Sequence, residues 1–192
     1  MHSNKGVRAA GRVRIVGGAW RSRRIEVAAR PGLRPTPDRV RETLFNWLGQ
    51  DLSGLACLDL FAGSGALGFE AASRGAARVV LVERDRAVLA ALARSKAALA
   101  ADRVEIVAAD AHAYLACAKE RFDVVFLDPP FRQNAVPALL GRLPALLAPG
   151  ARVYAEGAAP VEARGPWREL RRGRAGEVSY QLLGWGADEG RR

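Results

Sequence analysis

Between residues 55 and 155, short apolar runs alternate with helical stretches, and that rhythm constrains the fold more than any other feature. Strands are expected at Leu55–Phe61, Arg78–Glu83, Val104–Ala108, Phe122–Leu127 and Ala151–Ala155. Helices are expected over Ala66–Ser73, Arg86–Leu99, Ala111–Lys119 and Val136–Leu147. Such alternation gives a mostly parallel sheet with helices on both faces, an α/β architecture. The tail departs from it. Trp167–Arg172 and Val178–Trp185, joined through Gly173 to Gly176, read as a hairpin that completes a seven-stranded sheet. No helix fits between Glu156 and Trp167, because Gly157, Pro160, Gly165 and Pro166 interrupt it. Ahead of this core, Arg12–Gly17 and Arg23–Ala28 alternate like strands around Gly17, Gly18 and Trp20, predicting a small hairpin with arginines on its solvent face. A helix follows. Thr36 suits its N-cap and Pro37 its first position, and Val40, Leu44 and Trp47, with Phe45 and Leu48, form its apolar stripe up to Gly49 or Gly54.

Charge is distributed unevenly along the 192 residues. The first 50 residues carry 11 Lys and Arg against three acids, a net +8 of the total +10. A bias towards arginine (27 Arg to 3 Lys) does not place the excess at one end. A basic patch of this kind fits phosphate contacts with a nucleic acid, through Arg12, Arg14, Trp20, Arg21, Arg23 and Arg34. No apolar stretch approaches the ~20 residues of a bilayer span, and the amino terminus lacks the apolar block of a secretory signal, so a cytoplasmic protein is expected. Cys57 and Cys117 lie in segments expected to be buried and have no metal-ligand spacing; with only His2 and His112 beside them, no metal is expected.

The first core strand runs into Asp59-Leu60-Phe61-Ala62-Gly63-Ser64-Gly65-Ala66-Leu67-Gly68, a G-x-G-x-x-G turn, and the next strand ends on Glu83. Such a turn lets a ligand approach backbone at a helix N-terminus, with the acid on ribose hydroxyls. Nicotinamide and S-adenosylmethionine folds share the pattern, and a tight turn without a ligand uses the same glycines. Asp59 favours S-adenosylmethionine, since a carboxylate beside the loop suits an ammonium group better than a pyrophosphate. Asp110, after the third strand, is either a helix cap or an acceptor for an adenine amine.

The fourth core strand ends at Asp128-Pro129-Pro130-Phe131. Two prolines make a stiff turn whose carbonyl oxygens no following amide pairs locally. A carboxylate, free acceptors and an aromatic face together suit a planar group bearing an NH2, and point to chemistry on a nucleobase or amide nitrogen. All these features fall at the carboxyl ends of strands, where open α/β sheets bind ligands.

With these motifs the chain resembles the RsmD family, bacterial 16S rRNA (guanine-N2)-methyltransferases within the Rossmann-like Class I S-adenosylmethionine-dependent methyltransferases. The likeness runs through Arg14–Arg21, Leu33–Leu48, Leu58–Gly68 and Leu127–Phe131, and Leu33–Leu48 is its most specific part. It implies cofactor contacts at Asp59, Gly63, Gly65, Glu83 and Asp110, with Phe61, Ala62, Ser64, Arg84 and Ala111 in the same loops. Asp128 would lie between cofactor and base, Pro129 and Pro130 would shape the acceptor turn, and Phe131 would stack on the guanine. Arg34, Thr36 and Arg39 would close over the site. Tyr154-Ala155-Glu156-Gly157 keeps one acid where the family suggests a pair, and Thr36-Pro37 lacks a frequent second threonine. The expected partner is 16S rRNA in a partly assembled small subunit. Nothing marks a dimer surface, so a monomer is expected, organised as a basic extension over residues 1–32, a methyltransferase domain over 33–187 and a tail over 188–192. Three readings compete: an adenine-N6 methyltransferase, a dinucleotide-dependent oxidoreductase, and a non-catalytic RNA-binding assembly factor.

Overall fold

The computed structural model describes residues 11–31, 35–130 and 135–186. Strands β1 (Gly11–Arg14) and β2 (Arg24–Val27) form the expected antiparallel hairpin, with Arg12 opposite Glu26 and Val13 opposite Ile25. It is no loose appendage: Ile15 and Ile25 are buried in the same apolar cluster as Phe69 and the main sheet's Leu81 and Phe126. Helix α1 (Asp38–Leu48) follows. Then come β3 (Ala56–Asp59), α2 (Ala66–Ser73), β4 (Arg78–Glu83), α3 (Arg86–Leu99), β5 (Val104–Ala108), α4 (Ala111–Cys117), β6 (Phe122–Leu127) and α5 (Val136–Leu140). The chain ends with β7 (Leu147–Gly157), β8 (Trp167–Ala175) and β9 (Val178–Trp185).

The main sheet has the order β5-β4-β3-β6-β7-β9-β8. Strands β3 to β7 are mutually parallel, whereas β9 inserts antiparallel between β7 and β8. This is the expected mostly parallel seven-stranded sheet with a carboxyl-terminal hairpin. Alternating residues feed two cores: Val79 and Leu81 belong to one face, Val80 and Val82 to the other. Every residue of α2 is buried, because the sheet covers one side and the amino-terminal hairpin loop the other. Ala19 and Trp20 donate backbone amides to the Ser73 carbonyl (2.7 Å) and hydroxyl (2.9 Å) at the end of that helix. No helix among the described residues is long and apolar enough to cross a membrane.

Four local expectations are corrected. Thr36 does not cap α1; Pro37 occupies the cap position without a side-chain bond, and the Thr36 hydroxyl turns to Glu156 instead. The helix expected over Val136–Leu147 stops at Leu140, since Gly141 ends it and Pro144, with no N–H, opens a separate 3-10 turn at Pro144–Leu146. Strand β7 is correspondingly longer than expected, beginning at Leu147. Cys117 is exposed rather than buried, because α4 buries Ala111 and Leu115, four residues apart, and Cys117 falls off that stripe. Cys57 is buried on β3, as expected.

Candidate active site

Strand register aligns one acid at the end of each parallel strand. Asp59 lies level with Leu81 of β4 and Phe126 of β6, and Phe126 lies level with Tyr154 of β7. Glu83 lies level with Ala108 of β5. Side chains on a strand change face at each step, so Glu83, Asp128 and Glu156, two residues beyond Leu81, Phe126 and Tyr154, look towards the same face as Asp59. Asp110, two beyond Ala108, extends the row. In spatial order the acids are Asp110, Glu83, Asp59, Asp128 and Glu156. The row straddles the boundary between β3 and β6, where strand order reverses, the place at which open α/β sheets bind ligands.

One half of the row organises loops. Glu83 accepts from the Gly63 amide (3.1 Å) through Oε2 and from the Arg84 and Asp85 amides (2.7 and 2.8 Å) through Oε1. It therefore ties the β3–α2 turn to the start of α3. Asp59 is buried and accepts from the Gly68 amide at 3.1 Å. Burial first, then the charges of Glu83 and Glu156, push its carboxyl up to about 7, although the Gly68 amide opposes the rise. Gly65 caps α2 with φ of 75°, a conformation that a β-carbon penalises. A β-carbon on Gly68 would stand 2.1 Å from the Leu81 side chain, so this glycine lets α2 lie against β4. Within the turn Phe61 is half-buried and Ala62 and Ser64 are buried. Asp110 caps α4 through the His112 amide (2.9 Å) and pairs with Arg84 at 3.0 Å. The His112 amide leads and Arg84 assists in holding the Asp110 carboxyl below its ordinary value. Ala111 beside it is buried.

The other half presents acceptors. Asp128 has no hydrogen-bond partner among the described residues, and Pro129 and Pro130 offer it no amide. Burial, then Glu156 and Asp59, raise its carboxyl well above the ordinary range, although part of its surface reaches solvent. Pro129 is buried and Pro130 exposed. Glu156 is buried and accepts from the Tyr154 hydroxyl (2.7 Å) and the Thr36 hydroxyl (3.3 Å). The sequence pattern gave Glu156 no role; the signal that finds it is its register position beside Asp128. Thr36 thus lies at the acceptor end of the row, and Arg39 is exposed on the first turn of α1. Phe131 and Arg34 lie outside the described residues. Among the described residues no three acids, histidines or cysteines come together as a metal site.

The glycine turn, its close backbone and the surrounding acids suit a ligand with a cationic group and ribose hydroxyls. A pyrophosphate would meet the acids instead.

The family model described as "Conserved hypothetical protein 95" matches residues 13–184. Ribosomal RNA small subunit methyltransferase D of Escherichia coli K12 is 44% identical over 180 residues, 90% of each chain. The chain belongs to the RsmD family. A solved structure of Escherichia coli yhhF, described as a candidate methyltransferase, aligns with a TM-score of 0.83 and 44% identity over 92% of this chain and 99% of that one. A Thermus thermophilus 16S rRNA N2 methyltransferase solved with AdoMet and guanosine shares the fold, with a TM-score of 0.71 and 24% identity over 93% of this chain and 50% of its own.

The basic hairpin of this RsmD-family chain packs on α3, with its loop at the carboxyl-terminal end of α2. Arg14 pairs with Asp38 (3.0 Å), the first residue of α1, and Arg23 donates to the Ala98 carbonyl. Arg12 and Arg21 are exposed and their side chains have no protein partner among the described residues. Trp20 is half-buried against the core.

Proposed function

We propose that this protein transfers a methyl group from S-adenosylmethionine to the exocyclic N2 amine of a guanine in small-subunit 16S rRNA. The observation carrying this reading is the acid row: loop-organising acids at the glycine turn pass, within neighbouring strands, into acceptors at Asp128 and Pro129 that have no partner among the described residues. Neighbouring strands are ~4.8 Å apart, so donor and acceptor regions adjoin.

Asp59, Glu83 and Asp110, with the backbone around Gly63 and Gly65, would hold the cofactor. When bound, S-adenosylmethionine supplies an electrophilic methyl group on a cationic sulfur. The rest falls to this chain. A guanine amine is a poor nucleophile because its lone pair is delocalised into the ring. The Asp128 carboxylate and the Pro129 carbonyl accept its two N–H groups and turn the lone pair away from the ring plane. Positive charge grows on that nitrogen during reaction, so a fixed carboxylate attracts the transition state more than the ground state. Its raised proton affinity also suits Asp128 to take up the proton that the amine loses. Phe131 would stack on the extruded base, and Arg12 and Arg21 are free to meet phosphates.

Asp128→Ala tests the assignment. Methyl transfer from labelled S-adenosylmethionine to small subunits should fall at least ~100-fold, the scale of an acid–base or positioning group, while calorimetric cofactor affinity stays within a few-fold of wild type. Turnover at the wild-type rate would remove Asp128 from the chemistry.

A further inference from the structure

Glu156 is the acid that catalysis as described leaves unused. It is 7% exposed, at the end of the row beside Asp128. Both of its hydrogen bonds, from Tyr154 and from Thr36, land on Oε1. Among the described residues Oε2 receives none. The carboxylate is firmly held: Tyr154 is fully buried, Thr36 is buried, and the Thr36 carbonyl accepts from the buried Arg41 Nε at 3.2 Å. Phe126 and Tyr154 lie level, so Asp128 and Glu156, each two residues further on, stand side by side and face the space beyond the strand ends. Burial raises the Glu156 carboxyl above its ordinary value, and the Tyr154 and Thr36 hydroxyls, both donating to Oε1, oppose that rise, so Oε2 is the oxygen left to accept.

Guanine and adenine differ at the ring position adjoining this space. Guanine carries a donor, N1–H, next to its N2 amine, whereas adenine carries a bare lone pair at N1. An anchored carboxylate oxygen beside the acceptors for N2 binds the first and repels the second. We propose that Glu156 Oε2 accepts the N1–H of the target guanine and thereby determines which base the pocket admits. This rests on the guanine-N2 reading above and adds a residue to it that touches the substrate without reacting.

The discriminating probe is 2-aminopurine, which keeps the exocyclic 2-amine but has a lone pair at N1. Once labelling by wild-type protein has located the methylated position, small subunits are reconstituted with guanine or 2-aminopurine there, and initial rates are compared. Wild type should favour guanine at least ~10-fold, the lower end for one base-edge contact. In Glu156→Gln, Tyr154 and Thr36 hold the amide oxygen, so the NH2 takes the place of Oε2 and donates to the N1 lone pair. The guanine to 2-aminopurine rate ratio should then drop at least ~10-fold, with cofactor affinity unchanged. A residue that only positioned its neighbours would slow both substrates alike, and an unchanged ratio overturns the proposal. Should the variant fail to fold, wild type suffices, because equal rates on the two bases overturn it as well. Wild type that labels no guanine at all overturns the guanine reading itself, an outcome distinct from an unchanged ratio.

Discussion

Asp59 shows how a single residue in the row leaves a thermodynamic mark. Its folded carboxyl titrates near 7 against an ordinary 3.8, mainly through burial. The folded state therefore holds a proton between those values that the unfolded state has released. Stability falls as pH rises through that window and stops changing once pH exceeds the folded value. From pH 5.5 to pH 8 the ligand-free protein should lose about 2 kcal/mol at this site, measured by urea unfolding. Asp59→Asn should flatten that dependence. Acids held below their ordinary values, such as Asp38, Asp85 and Asp110, act only at lower pH and leave the window to the row. A wild-type profile that rises across the window would contradict the burial of Asp59.

At the scale of elements, α2 is held by a charged hub. Glu70 is fully buried and accepts from the Val16 and Gly17 amides (2.9 and 2.7 Å) of the hairpin loop. It also pairs with Arg41 of α1 (3.2 Å) and with Arg74 (3.0 Å), whose guanidinium lies 4.7 Å from the Phe45 ring centre. Arg41 in turn donates to the Arg14 carbonyl at 2.7 Å. Glu70→Ala would leave the buried Arg74 without its acidic partner, leave Arg41 with Asp38 alone and unpair two amides, and should cost about 3–5 kcal/mol in urea unfolding. Exchange at the Val16 and Gly17 amides should quicken in parallel. An unchanged midpoint would mean that the hub does not hold the hairpin. Local rules see little of this. Periodicity finds α1 but reads Arg41 as one more surface arginine, and cap preferences assign Thr36 to its own helix. Its true partner, Glu156, is 120 residues away. Motifs built from neighbours, the glycine turn and the Asp128-Pro129-Pro130 turn, were legible because their chemistry is local. Glu156 was not, since only strand register brings it beside Asp128.

For the whole molecule, the alternation of strands and helices was enough to specify the sheet and its hairpin tail, because each apolar run had one way to be buried. It did not reveal that the basic hairpin shares the main core, which depends on Ile15 and Ile25 joining the cluster that contains Leu81 and Phe126. The consequence is that the basic hairpin is tied, through Ile15 and Ile25, to the same core that supports the glycine turn. The most direct measurement is the identity of the product. Small subunits from cells lacking this protein, incubated with it and labelled S-adenosylmethionine, are digested to nucleosides and resolved by mass spectrometry. The label should appear in N2-methylguanosine from 16S rRNA. Label in N6-methyladenosine, or no transfer to RNA by folded, cofactor-binding protein, would contradict the account.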